Sequence, residues 1–302
     1  MEIRLALNTG FLVNRYVTPE QWIPFVSQNL DIKRIQFTAD MLNPGMPASI
    51  VKNIARRTKN LADDNGLTID STFTGAFTRL NHFGHPEAKI RGYWIKWFKR
   101  FVDLSVMLGA KSMGSHFGIV SVPDYENMER RRLRFLENVE CWRKIAAYGR
   151  KCGLEFLTWE PMSIGREYGE TIEEVKKIQM ALNQHFDIPM LLCLDVDHGD
   201  VDSPDPKDVD PYAYISAFGR YSPQIHIKQS YKDKGGHWPF TKDHNEKGKI
   251  IPEEIINALK SAGVEKVTLI LELSFRERSP DEKRLVSDVR ESVDFWKPYC
   301  LL

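Results

Sequence analysis

The stretch LLCLDVDHGD, residues 191–200, passes abruptly from an apolar run to a polar tip. Leu191 to Leu194 has the length and composition of a strand buried on both faces. Asp195 and His198 follow three residues apart, so a turn beginning at Asp195 could bring both side chains to one point. A carboxylate and an imidazole so placed suit a divalent metal. The stretch alone also allows a plainer reading, with Asp195 capping the loop and His198 solvated. Other apolar segments carry comparable groups: Glu160 beyond Leu154–Thr158, His226 within Gln224–Ile227, and Glu272 after Val267–Leu271. Two Glu, one Asp and one His form a mixed oxygen and nitrogen shell. That shell suits Mn, Mg or Co, with Zn also admissible. Taken singly, His226 could be a satisfied core histidine, and Glu272 could pair with Arg276.

Such groups converge only if their strands lie side by side. Eight candidate strands alternate with helical segments along the chain: 3–7, 32–37, 68–73, 111–115, 154–158, 191–194, 224–227 and 267–271. Helices are expected over 48–63, 88–108, 127–151, 171–183, 210–218, 252–262 and from Ser279 to Phe295. Thr18-Pro19-Glu20-Gln21 and Thr171-Ile172-Glu173-Glu174 read as capping boxes, and Ser279 reads as a further cap. Connections of this length predict parallel strands with crossover helices. At 302 residues, eight such units favour a single closed (β/α)₈ TIM barrel spanning 1–302. No G-x-G-x-x-G follows the first strand, which weighs against a dinucleotide-binding sheet. In a barrel the active site lies at the carboxyl ends of the strands, where Glu160, Asp195, His198, His226 and Glu272 are placed.

Composition narrows the partners. Lys and Arg number 42 against 41 Asp and Glu, a net charge of +1, which gives no whole-chain reason to expect nucleic acid or an anionic membrane. The Arg-rich run at 129–134 is followed by Glu137 and Glu140, the pattern of a solvated helix face. Tyr93, Trp94, Trp97, Phe98 and Phe101 form an aromatic stripe of the kind that faces a core. No apolar run approaches the ~18 residues of a membrane span, and no signal-peptide pattern opens the chain. Cys141, Cys152, Cys193 and Cys300 form no C-x-x-C pair and read as reduced thiols of a cytoplasmic protein. Apolar helix faces allow a homodimer.

The segments TWEPMS, LDVDHGD, IHIKQS and LILELSF resemble those of the xylose-isomerase-like sugar isomerase/epimerase superfamily over nearly the whole chain. QFTADMLNP, STFTGAFTR, MGSHFG and KGGHWPFT resemble, more narrowly, its erythritol-catabolism branch of tetrulose-phosphate (erythrulose-phosphate) epimerases and racemases. The resemblance implies one divalent metal ion held by Glu160, Asp195, His226 and Glu272. It implies that His198 contacts substrate, and that Glu160 and Glu272 form the acid/base pair. An Arg usual after the strand-seven His is replaced here by Lys228 and Lys232, which bears on the substrate. The implied reaction is 3-epimerisation of a short ketose phosphate. A proton leaves carbon 3 to one Glu and returns from the other through a metal-stabilised enediolate.

Phosphate recognition points to the loops after strands seven and eight, with Lys228, Lys232, Lys234, Arg276 and Arg278. His116 and Trp238 are further substrate-contact candidates. The alternatives are an aldose–ketose isomerase or a sugar dehydratase on the same barrel. A multi-zinc phosphodiesterase of the endonuclease-IV type would need ligands from His82, His116, Asp243 and His244. A non-catalytic sugar-binding barrel would not need two opposed carboxylates.

Overall fold

The computed structural model describes residues 1–231 and 235–301. Eight parallel strands close into a barrel in sequential order: β1 (Glu2–Asn8), β2 (Arg34–Thr38), β3 (Thr68–Phe73), β4 (Ser112–His116), β5 (Phe156–Glu160), β6 (Met190–Asp195), β7 (Gln224–Ile227) and β8 (Lys266–Leu271). β1 pairs with β8 from Glu2↔Lys266 to Leu7↔Leu271, which closes the ring. Helices fill each crossover, so the strands are covered on their outer face. Trp22, Phe98, Phe101, Trp142 and Trp296 are fully buried in the core. That arrangement explains why β6 reads as a continuous apolar run rather than an alternating one.

Strand register places the functional side chains. His116 lies beside Glu160 across β4 and β5, and Asp195 beside His226 across β6 and β7. Three expected boundaries need correction. β2 begins at Arg34, not Ile32, its pairing with β3 starting at Arg34↔Thr68. β5 begins at Phe156, not Leu154, because Gly153 ends the preceding helix in the left-handed conformation at φ 97°. The Leu154 amide then donates to the Gly149 carbonyl at 3.0 Å, so Leu154 belongs to the helix cap and not to the strand. Glu160 therefore becomes the last residue of β5. At the final helix (Asp281–Trp296) Ser279 does not cap; Pro280 occupies the cap position and brings no side-chain acceptor. Thr171 does cap its helix, its Oγ1 accepting from the Glu174 amide at 3.2 Å.

In the Arg-rich helix (Met128–Cys152) Glu129, Arg130 and Arg132 are exposed, as the charge pattern predicts, and Arg134 is the exception. Arg134 is buried, pairs with Glu137 at 2.6 Å and donates to the Pro86 carbonyl at 3.0 Å. Among the described residues no helix is long and apolar enough to cross a membrane.

Candidate metal and proton-transfer site

Glu160, Asp195, His226 and Glu272 converge at the carboxyl end of the barrel. One ligand atom from each lies within 4.8 Å of all the others, and among the described residues they form the one such cluster. His226 stands at its centre. Its Nδ1 is 2.7 Å from Glu160 Oε1 and 3.7 Å from Glu272 Oε1. Its Nε2 is 2.7 Å from Gln36 Oε1. An amide oxygen only accepts, so Nε2 carries a proton and Nδ1 is the atom presented to the carboxylates. Gln36 Oε1 also accepts from Asn8 Nδ2 at 2.7 Å, which holds the amide in that orientation. Three carboxylates and one imidazole nitrogen so directed fit a divalent cation of the Mg, Mn or Co type.

A second device fixes the same ring. The Phe73 ring meets His226 edge-on with centroids 5.0 Å apart. Phe73 reaches that place because β4 has no side chain at Gly114, where a Cβ would sit 2.3 Å from both the Phe73 ring and Thr158 Oγ1.

The charges are mutually dependent. Burial pushes the Glu272 carboxyl upward, but the positive charges of His226 and Lys228, with a hydrogen bond from His237, outweigh it and hold Glu272 well below the usual carboxylate range. Burial opposes charge on His226 too, yet the nearby Cys193, Glu272 and Glu160 raise it well above an ordinary histidine. Lys228 is almost fully buried at 1 % exposure; its Nζ donates to Asp195 Oδ2 at 2.5 Å and to Glu272 Oε2 at 3.2 Å. Those carboxylates keep it charged against burial.

Around the cluster three cavities meet. The largest, about 640 Å³, is lined by Ser163, Asp197, His198, Lys228, Tyr231 and Lys249 among others. The second, about 310 Å³, carries His116, Glu160, His198 and Glu272. The third, about 300 Å³, reaches Asn8, Thr38, Asp40 and Glu272. His198 donates from Nδ1 to the Pro161 carbonyl at 2.8 Å, which leaves Nε2 for the cavities it lines. His116 is anchored through Nε2 to the Leu80 carbonyl at 3.0 Å, and burial lowers its pKa to about 4, so it is neutral. Its ring lies 4.3 Å from that of His82, and neither joins the metal-capable cluster.

The remaining candidates lie further out. Arg276 and Arg278 are exposed and line none of the three cavities. Trp238 stacks on His244 and Tyr231, at 5.2 and 5.9 Å, and packs the loop after β7. Lys232 and Lys234 lie outside the described residues. Sequence reasoning missed Gln36 and Asn8 as supports of His226; the available signal was a glutamine inside the otherwise buried strand RIQFT. It also missed the role of His237, which lines all three cavities, with Nε2 3.3 Å from Lys228 Nζ. Asp197 ties that loop down, accepting from the Gly236 amide at 2.9 Å and from Ser230 Oγ, and pairing with Lys249 at 3.1 Å.

Comparison with known proteins gives consistent likenesses. The family model described as xylose isomerase-like TIM barrel matches residues 29–299. A protein of Brucella abortus (strain 2308) named D-erythrulose 1-phosphate 3-epimerase is 42% identical over 300 residues, covering 99% of this chain and 97% of that one. A solved structure from Rhodospirillum rubrum superposes with a TM-score of 0.89 at 24% identity, covering 98% of this chain and 99% of the other. D-psicose 3-epimerase of Clostridium cellulolyticum H10, solved with D-tagatose, gives a TM-score of 0.73 at 15% identity, with 98% of each chain covered. At these identities the two structures speak for the fold alone.

Proposed function

Because the chain belongs to the xylose isomerase-like TIM-barrel family and is an enzyme of the isomerase class, we propose that it epimerises erythrulose phosphate at carbon 3. One divalent cation would be held by Glu160, Asp195, His226 and Glu272. The observation that carries this reading is the pair of carboxylates on one imidazole, Glu160 at 2.7 Å and Glu272 at 3.7 Å from His226 Nδ1. The 42% identity to an erythrulose-phosphate epimerase over the whole chain supplies the substrate class.

A bound divalent cation supplies Lewis acidity, which weakens a C–H bond beside a carbonyl and stabilises the negative charge left behind. The protein does the rest. Glu160 and Glu272 come from strands on different sides of His226, so they can address the two faces of carbon 3. One removes the proton and the other delivers one to the opposite face. His226 cannot swing away, being held by Gln36 on one side and Phe73 on the other. Asp195 is oriented by the Asp197 amide, which donates to its Oδ1 at 2.7 Å. His198 offers Nε2 to a substrate hydroxyl. The phosphate end extends into the 640 Å³ cavity, where Lys249 is 22% exposed.

The test is conversion. Metal-loaded protein supplied with erythrulose phosphate is expected to yield the tetrulose phosphate of opposite configuration at carbon 3. An aldose phosphate would reassign the reaction to carbonyl transposition, and loss of water would reassign it to a dehydratase.

A further inference from the structure

Lys228 sits where a lysine is least expected. Two residues after His226, it lies within the carboxylate cluster and is essentially cut off from solvent. Its Nζ contacts Asp195 Oδ2 at 2.5 Å, Glu272 Oε2 at 3.2 Å and His237 Nε2 at 3.3 Å. The other oxygen of Asp195 already accepts the Asp197 amide at 2.7 Å. Both oxygens of that carboxylate are therefore engaged by donors of the protein itself. A buried carboxylate without a counter-charge is strongly destabilising, so a site of three acids needs positive charge whether or not a metal is present. An ammonium beside the same oxygens must, in turn, repel an arriving dication.

We propose that Lys228 is the internal counter-ion of the metal site: it keeps the carboxylate cluster folded and aimed in the metal-free protein, and thereby lowers the affinity for the metal. The inference rests on the reading that this cluster binds a divalent cation. It makes Lys228 a positioning residue that acts through Asp195 and Glu272. The site is then neither wide open to any dication nor prone to collapse when the metal leaves.

The experiment uses full-length protein, stripped of metal by chelation, with manganese(II) as the probe. Free ion is read by electron paramagnetic resonance, and thermal unfolding is followed with and without manganese. Lys228→Met removes the charge at similar length. It is expected to bind manganese roughly tenfold or more tightly, a modest figure for one unit charge removed from a few ångströms away at an effective dielectric of about 20. Its metal-free form is expected to melt several degrees below wild type, and manganese should raise its melting temperature by more than it raises that of wild type. Lys228→Arg retains the charge and should stay near wild type in both readings. A Lys228→Met protein that folds only with manganese, beside a Lys228→Arg protein that folds without it, is the same result in extreme form. Unchanged or weaker manganese binding by a folded Lys228→Met protein overturns the proposal, as does failure of both variants to fold under either condition. If wild type itself binds no manganese, the metal reading fails first, and the two failures are thereby distinguished.

Discussion

The two halves of the barrel end differently. β5, β6, β7 and the segment just past β8 bring ionisable groups to the site: Glu160, Asp195, His226 and Glu272. The strands β1 to β4 themselves bring neutral or neutralised ones, Asn8, Gln36, Phe73 and His116, the last kept uncharged by burial, while Asp40 past β2 reaches only the third cavity. On the function proposed, the first set holds a cation and moves protons. The second does neither, yet it decides where the first set points. Gln36 holds the Nε2–H of His226 and so keeps Nδ1 facing the carboxylates, Asn8 holds Gln36, and Phe73 blocks the ring from turning. The barrel thus separates chemistry from orientation and joins the two at a single imidazole.

That division can be broken from either side. The largest effect is expected in the ligand half. Glu160→Gln and Glu272→Gln should each lower turnover by about 10²–10⁴-fold, since each removes a proton carrier. If either kept full turnover with metal bound, the two-carboxylate scheme would be wrong. A smaller loss is expected from the orienting half. Gln36→Leu deletes the acceptor of His226 Nε2 and should weaken manganese binding by about 10–100-fold, measured by titration of the metal-free protein. Unchanged affinity would mean that the amide does not set the ring. Next comes Lys249→Met, expected to raise KM about tenfold for the phosphorylated ketose while sparing kcat, as loss of a charge-assisted contact should. The double variant Arg276→Ala, Arg278→Ala should leave both constants nearly unchanged. The reverse pattern would move the phosphate to the loop after β8. Gly114→Ala should act on stability first, costing about 1–3 kcal/mol through its clash with Phe73 and Thr158, with a secondary fall in metal affinity. Denaturant unfolding separates the two components.

The same division explains what the sequence made legible. An acid at the end of a buried apolar run is conspicuous, because charge there has no cheap structural purpose. Glu160, Asp195 and Glu272 could be picked out for that reason, and eight alternating segments supplied the barrel that unites them. Gln36 and Asn8 are ordinary polar residues until the ring closes and sets them 2.7 Å apart. Their partner His226 lies 190 residues from Gln36 in the chain, a separation no local pattern spans. Arg276 and Arg278 illustrate the opposite case. Their charge and loop position suggest phosphate; the structure leaves both exposed and outside the lining of the three cavities. The type of Lys228 suggests a substrate contact; its position adds what the sequence does not show, that its nearest partners are the site's own carboxylates while it also lines the largest cavity.

The most direct test of the central claim is solvent exchange at the reacting carbon. Magnesium-loaded protein in D₂O, given erythrulose phosphate, should place deuterium at carbon 3, with inverted product carrying the label. Exchange at carbon 3 should fall sharply in both Glu160→Gln and Glu272→Gln. Label confined to carbon 1, or inversion without any uptake of deuterium, would contradict proton transfer at carbon 3 by the two carboxylates.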